Sequence, residues 1–138
     1  LTTIAFKNGV LAADTQATCS YHSRVRKIHR MPDGVLLGGC GSTQDCHLVA
    51  EWLKGGQEGK LPRSLEADFI IVLPNGSILI AEGRFPPFPL TAKFAAIGSG
   101  SPVAMGAMEA GATALEAVKI AAKHDGGTSG PFHTLRLR

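Results

Sequence analysis

The chain has 138 residues, 44% of them hydrophobic and 18% charged, with a formal net charge of +3. That length holds one core and one domain, 1–138, and the composition is that of a soluble globular protein. The charge is too small to argue for nucleic acid or a membrane surface as partner; no apolar stretch reaches a membrane span of about 20 residues, and Leu1-Thr2-Thr3 lacks the basic opening of a signal peptide.

Thr2 to Lys7 is rich in β-branched and aromatic residues and reads as a strand. Asn8-Gly9 follows as a hairpin turn, since a type I′ turn needs positive φ at both central residues, and Val10 to Asp14 returns as the second strand. Val25 to Met31 and Val35 to Cys40 form a second hairpin around Pro32-Asp33-Gly34. Ser42 is placed to cap a helix, with Asp45 at its third position as a short capping-box partner. Leu48, Val49, Trp52 and Leu53 share one face of that helix, and Gly55-Gly56 ends it.

A third hairpin spans Ala67 to Glu82 about Pro74-Asn75-Gly76. Phe85-Pro86-Pro87-Phe88-Pro89 is expected to be a rigid connector without regular structure. Phe94 to Ile97 is a short strand, and Ser101-Pro102 opens one small-residue helix running to His124. Phe132 to Leu137 is the last strand. Strands in runs with helices gathered between them give an α+β class with antiparallel sheets. The three cysteines, Cys19, Cys40 and Cys46, have no metal-ligand spacing. No metal or organic cofactor is implied, and a reduced, cytoplasmic setting is expected. Gly98-Ser99-Gly100 before a helix suggests a dinucleotide-binding turn, but Val103 stands where the third glycine belongs and no βαβ unit surrounds it.

Taken in order, these segments resemble the proteasome β-subunit and the HslV peptidase, both N-terminal nucleophile hydrolases. The resemblance rests on Thr2-Thr3-Ile4, Ala12-Ala13-Asp14-Thr15-Gln16-Ala17-Thr18, Val25-Arg26-Lys27-Ile28, Gly38-Gly39-Cys40-Gly41-Ser42, Ile97-Gly98-Ser99-Gly100-Ser101, and Asp125 with Thr128. It implies a four-layer αββα sandwich, two antiparallel sheets between helical layers. The short Gln57 to Ala67 segment leaves one helical layer reduced.

The chemistry implied is that of a threonine peptidase. A threonine hydroxyl is a weak nucleophile until a base removes its proton, and the α-amine of a first-residue threonine titrates near about 8, close to working pH. By resemblance, Thr2 is the nucleophile, Lys27 a cation beside its hydroxyl, and Asp14 the group that holds Lys27. Gly41 donates its N–H to the oxyanion. Ser99, Asp125 and Thr128 surround the terminal amine. Thr18, Gly39 and Thr43 are expected to bind an extended peptide, with Gly39 leaving a roomy pocket for a large apolar side chain.

The resemblance further implies peptide or unfolded-protein substrates, a homo-oligomeric ring or double ring, and a partner ATPase unfoldase. Three departures stand out. Leu1 precedes Thr2, so the mechanism needs its removal; aligning Leu1 itself with the nucleophile would instead give an inactive subunit of the ring. Strand parity between the nucleophile and Asp14 favours Thr2. The chain is also compact, and Arg26 stands where lysine is common. A catalytically inactive ring subunit and a related amidase are the alternative readings.

Overall fold

The computed structural model describes residues 2–18 and 22–138. Leu1 and Cys19 lie outside the described residues. Strands β1 (Ile4–Lys7) and β2 (Val10–Ala13) form the first hairpin, with Asn8 and Gly9 at φ of 50° and 77° as the turn requires. β3 (Gln16–Thr18) and β4 (His22–Arg24) form a two-stranded sheet among the described residues. The second expected hairpin is shorter than its apolar pattern, consisting of β5 (Ile28–Arg30) and β6 (Leu36–Gly41).

Helix α1 (Thr43–Lys54) is capped by Ser42, whose Oγ accepts from the Asp45 N–H at 3.2 Å. Asp45 does not complete a capping box. Its Oδ2 instead accepts from the Glu66 N–H at 2.7 Å, which ties the start of α1 to the chain entering β7 (Ala67–Val72). The buried face of α1 is also turned from the expected one: Val49 and Ala50 are buried, while Leu48 is exposed.

β8 (Ile78–Glu82) pairs with β7, and the proline-rich segment adds β9 (Phe88–Leu90) on the far side of β8. The expectation of a connector without regular structure is thus corrected. Pro89 is tolerated because β9 is the outermost strand, where one N–H can be missing without breaking an inner ladder.

β10 (Phe94–Ile97) leads into α2 (Ser101–Glu109), followed by α3 (Ala114–His124) and β11 (His133–Arg136). The single helix expected from Ser101 to His124 is two. Gly111, at φ of 109°, ends the first, and Thr113 with Glu116 caps the second in a reciprocal capping box. The cap of α2 is Gly100 rather than Ser101, one residue earlier than expected.

One sheet has the order β10-β1-β2-β11 and the other β5-β6-β7-β8-β9, each with antiparallel neighbours. Side-chain alternation sorts the apolar residues into three layers. Ile4, Phe6 and Leu11 face Ile28, Leu36, Ile70 and Val72 between the sheets. On the back of the larger sheet, Phe69 and Ile71 pack on Val49 and Ala50 of α1. On the back of the smaller sheet, Ala5 and Ala12 pack beneath Ala104 and Met108 of α2 and Ala117, Val118 and Ala121 of α3. The architecture is therefore a four-layer αββα sandwich of α+β class, with α1 alone in the reduced layer among the described residues. β1 lies between β10 and β2, so the residues just before it, Thr2 and Thr3, sit at one end of the intersheet space.

Candidate active site

Thr2 and Thr3 are both buried. The segment after β10 presses against them so closely that only glycine fits. A Cβ on Gly98, whose φ is 98°, would strike the Thr2 carbonyl, and a Cβ on Gly100 would strike Thr3 Oγ1. The Gly100 N–H also donates to the Thr2 carbonyl at 3.2 Å. The glycines of the GSGS segment thus serve close backbone approach to Thr2 and Thr3.

Lys27 and Asp14 meet at the Thr2 hydroxyl. Lys27 Nζ donates to Thr2 Oγ1 at 2.9 Å and lies 3.0 Å from Asp14 Oδ1, with Lys27 7% and Asp14 0% exposed. Asp14 is saturated: Oδ1 takes Lys27 and the Thr3 N–H, while Oδ2 takes the N–H groups of Gln16 and Ser129. Burial pushes the Lys27 ammonium below the ordinary lysine range, and the Asp14 carboxylate opposes that shift. The arrangement places a desolvated ammonium hydrogen directly on a threonine oxygen, which stabilises the alkoxide form of that oxygen.

A second network gathers at the Thr2 nitrogen. That nitrogen donates to Ser99 Oγ at 3.2 Å, and Ser99 donates its own proton to Asp125 Oδ2 at 2.6 Å. Thr128 Oγ1 also donates to Asp125 Oδ2, at 2.7 Å. With its proton so committed, Thr128 must accept from Thr3 Oγ1 at 2.8 Å. Asp125 therefore anchors two hydroxyl chains, one ending at Thr2 and one at Thr3. The Ser99 hydrogen bond above all, with that of Thr128, holds its carboxyl below the usual aspartate range.

A pocket of about 170 Å³ opens beside Thr2 and Lys27, lined in part by Gly39, Gly41 and Thr43. Thr18 closes β3 at the backbone level. Gly39 does not make the pocket roomy as expected. A Cβ there would stand 2.9 Å from Cys46 Sγ and 3.0 Å from the Phe69 ring, so those two side chains already fill the space. Gly41 has φ of 108°, and a Cβ would come 2.5 Å from the Glu66 carbonyl, which restricts the position to glycine.

Sequence reasoning missed Thr3, His29, Cys46 and His47. The signals were present: His29 lies two residues after Lys27 in the β period, and His47 lies one turn after Thr43 on α1. Burial pushes the Cys40 thiol up to about 11 and that of Cys46 to about 12, so neither supplies a thiolate at neutral pH. His29 is held below the ordinary imidazole value by burial and by the Lys54 and Arg26 cations. Among the described residues no group of three or more His, Cys, Asp or Glu side chains is arranged to hold a metal ion, and no helix is long and apolar enough to cross a membrane.

Two antiparallel sheets between helical layers, with a buried Thr–Lys–Asp cluster at the end of the first strand, define a four-layer αββα class of fold. Within that class the fold is that of HslV. HslV from Trypanosoma brucei superposes with a TM-score of 0.72 at 23% identity, over 97% of this chain and 97% of that one. Thiobacillus denitrificans BPH, alone and in complex with epoxomicin, gives 0.70 at 22% identity, over 99% of this chain and 98% of that one. Comparison of the sequence matches no family model and no curated protein.

Proposed function

We propose that the chain is the threonine endopeptidase subunit of a ring-shaped, self-compartmentalising protease. The observation that carries this reading is Lys27 Nζ held between Thr2 Oγ1 and Asp14 Oδ1, at 2.9 and 3.0 Å, with all three residues buried. A buried ion pair contributes little net stability of its own, so its placement on a hydroxyl argues for chemistry.

In the proposed reaction Leu1 and anything before it have been removed, and the Thr2 nitrogen is a free α-amine. Thr2 Oγ1 forms a bond to the substrate carbonyl carbon while its proton passes to that amine, directly or through a water. Lys27 stabilises the oxygen as it loses the proton and disfavours protonation of the amine. The Gly41 N–H receives the oxyanion. Collapse breaks the C–N bond, the α-amine protonates the leaving nitrogen, and water then hydrolyses the Thr2 ester. Ser99, held by Asp125, orients the amine.

The likeness to HslV supports assembly into a homo-oligomeric ring or double ring, fed with unfolded polypeptide by an ATPase unfoldase. A chamber would restrict the site to unfolded chains. The fold's pairing edge at β3 and the Gly39–Thr43 segment suits an extended substrate bound by β-augmentation.

The test is intact mass after incubation with a peptide epoxyketone. Epoxomicin, named with Thiobacillus denitrificans BPH, is a suitable one. The reagent's stable adduct needs both the threonine hydroxyl and its free amine. A single adduct on a chain beginning at Thr2 supports the proposal. An unmodified chain that begins at Thr2 overturns it and leaves the inactive ring subunit as the better account.

A further inference from the structure

The two sides of Thr2 carry opposite charge. The 170 Å³ pocket beside Lys27 is lined in part by the apolar Val25, Leu37 and Phe69 and in part by Arg26, His29 and His47. No carboxylate lines it among the described residues. Lys27 is matched by Asp14, whereas Arg26 has no carboxylate within 4.0 Å among the described residues. On the other side of Thr2 a cleft of about 610 Å³ carries Glu66, Asp68 and Glu82 at its surface, and no lysine, arginine or histidine lines it among the described residues. A negatively charged side chain is drawn to the first side and repelled from the second.

Resting on the peptidase reading, we propose that this pocket is a specificity site for a carboxylate-bearing side chain, glutamate foremost, on a residue flanking the bond that Thr2 attacks. The methylene stem of glutamate lies against Val25 and Phe69. Its carboxylate takes hydrogen bonds from the Arg26 guanidinium and from the imidazoles of His29 and His47. A long apolar side chain gains the same apolar contacts but leaves those donors unpaired, and a lysine meets like charge. Gly39 adds no depth, because Phe69 and Cys46 occupy the space a Cβ would enter.

Acid strengthens the preference. The charged groups around His29 are Arg26 beside β5 and Lys54 and Glu51 on α1, and the two cations with burial keep the ring neutral until the pH falls below the usual 6.5. As His29 gains a proton, selection of glutamate over leucine sharpens.

The experiment uses matched peptides carrying Glu, Gln, Leu or Lys on either side of one scissile bond, with products located by mass. Glutamate on one constant side is expected to exceed leucine in kcat/KM by about tenfold, with the ratio falling in high salt and rising as pH falls below about 6.5. Arg26→Glu is expected to reverse the order of Glu and Lys. Leucine or lysine cleaved faster than glutamate, or an unmoved ratio in Arg26→Glu, overturns the assignment while an epoxyketone adduct still upholds the peptidase. No turnover of any peptide together with no adduct overturns both.

Discussion

At the scale of single residues, Thr2 is positioned chiefly by what its neighbours lack. Gly98 approaches the Thr2 carbonyl at a φ of 98°, and any side chain there is both strained and in collision with that oxygen. Gly98→Ala is therefore expected to shift Thr2 while the three apolar layers stay packed. A displacement on the order of 1 Å lowers turnover by about a hundredfold. Peptide hydrolysis measured beside a native-like circular dichroism spectrum checks this. Ser99 acts through Asp125 as well as at the Thr2 nitrogen. Its hydrogen bond is the largest influence holding the Asp125 carboxyl below 3.8. A depressed carboxyl contributes stability that is present above the unfolded value and is lost as pH falls through the folded one. Ser99→Ala is expected to raise the Asp125 titration toward 3.8 in a carboxyl-resolved NMR experiment, and so to shrink both the stability this carboxyl contributes above 3.8 and the loss of that stability in acid. An unmoved titration would mean that Thr128 and the Gly127 N–H set it without Ser99.

At the scale of elements, strand hairpins were more legible than helix breaks. Asn8-Gly9 and Pro74-Asn75-Gly76 announce their turns through backbone geometry that few other residues adopt, and the alternation of Ile4, Phe6 and Leu11 assigns a buried face. The alanine-rich stretch from Ala104 to Ala121 hid its break because alanine favours helix on every side and shows no preferred face. The decisive signals there were Gly111 and the Thr113-x-x-Glu116 pair, three residues inside an otherwise continuous pattern. β9 was hidden for the opposite reason: prolines argue against a strand until the strand is known to be outermost. Of the candidate site, Thr2, Asp14 and Lys27 were singled out by the resemblance, since each alone reads as strand, cap or solvated face, and the structure brings their side chains together. The site was not legible where packing decides, as at Gly39, whose surroundings come from Phe69 and Cys46 on other elements. Thr113→Ala removes the cap of α3 and is expected to cost about 1 kcal/mol. A fall in Tm of about 3 °C, with the adduct-forming capacity of Thr2 retained, is the outcome expected from differential scanning calorimetry. Lys7 Nζ, which donates to the carbonyls of Met108 and Ala112 at 2.8 and 2.9 Å, holds the α2–α3 connector in place without that cap.

At the scale of the whole molecule, the Lys27–Asp14 pair joins the two sheets. Lys27 enters the larger sheet at β5, and Asp14 leaves the smaller one after β2. Whether this tie exists for stability or for chemistry is open to experiment, because the two roles respond differently to paired substitutions. Lys27→Met leaves a fully buried carboxylate without its cation and is expected to destabilise the protein by about 3–5 kcal/mol. Adding Asp14→Asn removes the buried charge, so stability should return in part. The return is incomplete because the carboxylate accepts from Thr3, Gln16 and Ser129 N–H groups as well as from Lys27, and one amide oxygen cannot serve both sets. The pH dependence separates the cases further. Burial lowers the Lys27 value below 10.5. Between that lowered value and 10.5 the unfolded chain holds the extra proton, so stability contributed by this site rises with pH across the window; below it the cost of burying the cation stands in full, offset by Asp14. Both variants should lose this alkaline rise in urea-denaturation measurements. Under the proposed mechanism, peptide hydrolysis should remain absent in the double variant even after stability has recovered, since Lys27 no longer meets the Thr2 oxygen. Recovery of hydrolysis together with stability would show that Lys27 serves to join the sheets and that Thr2 is activated by its own amine alone.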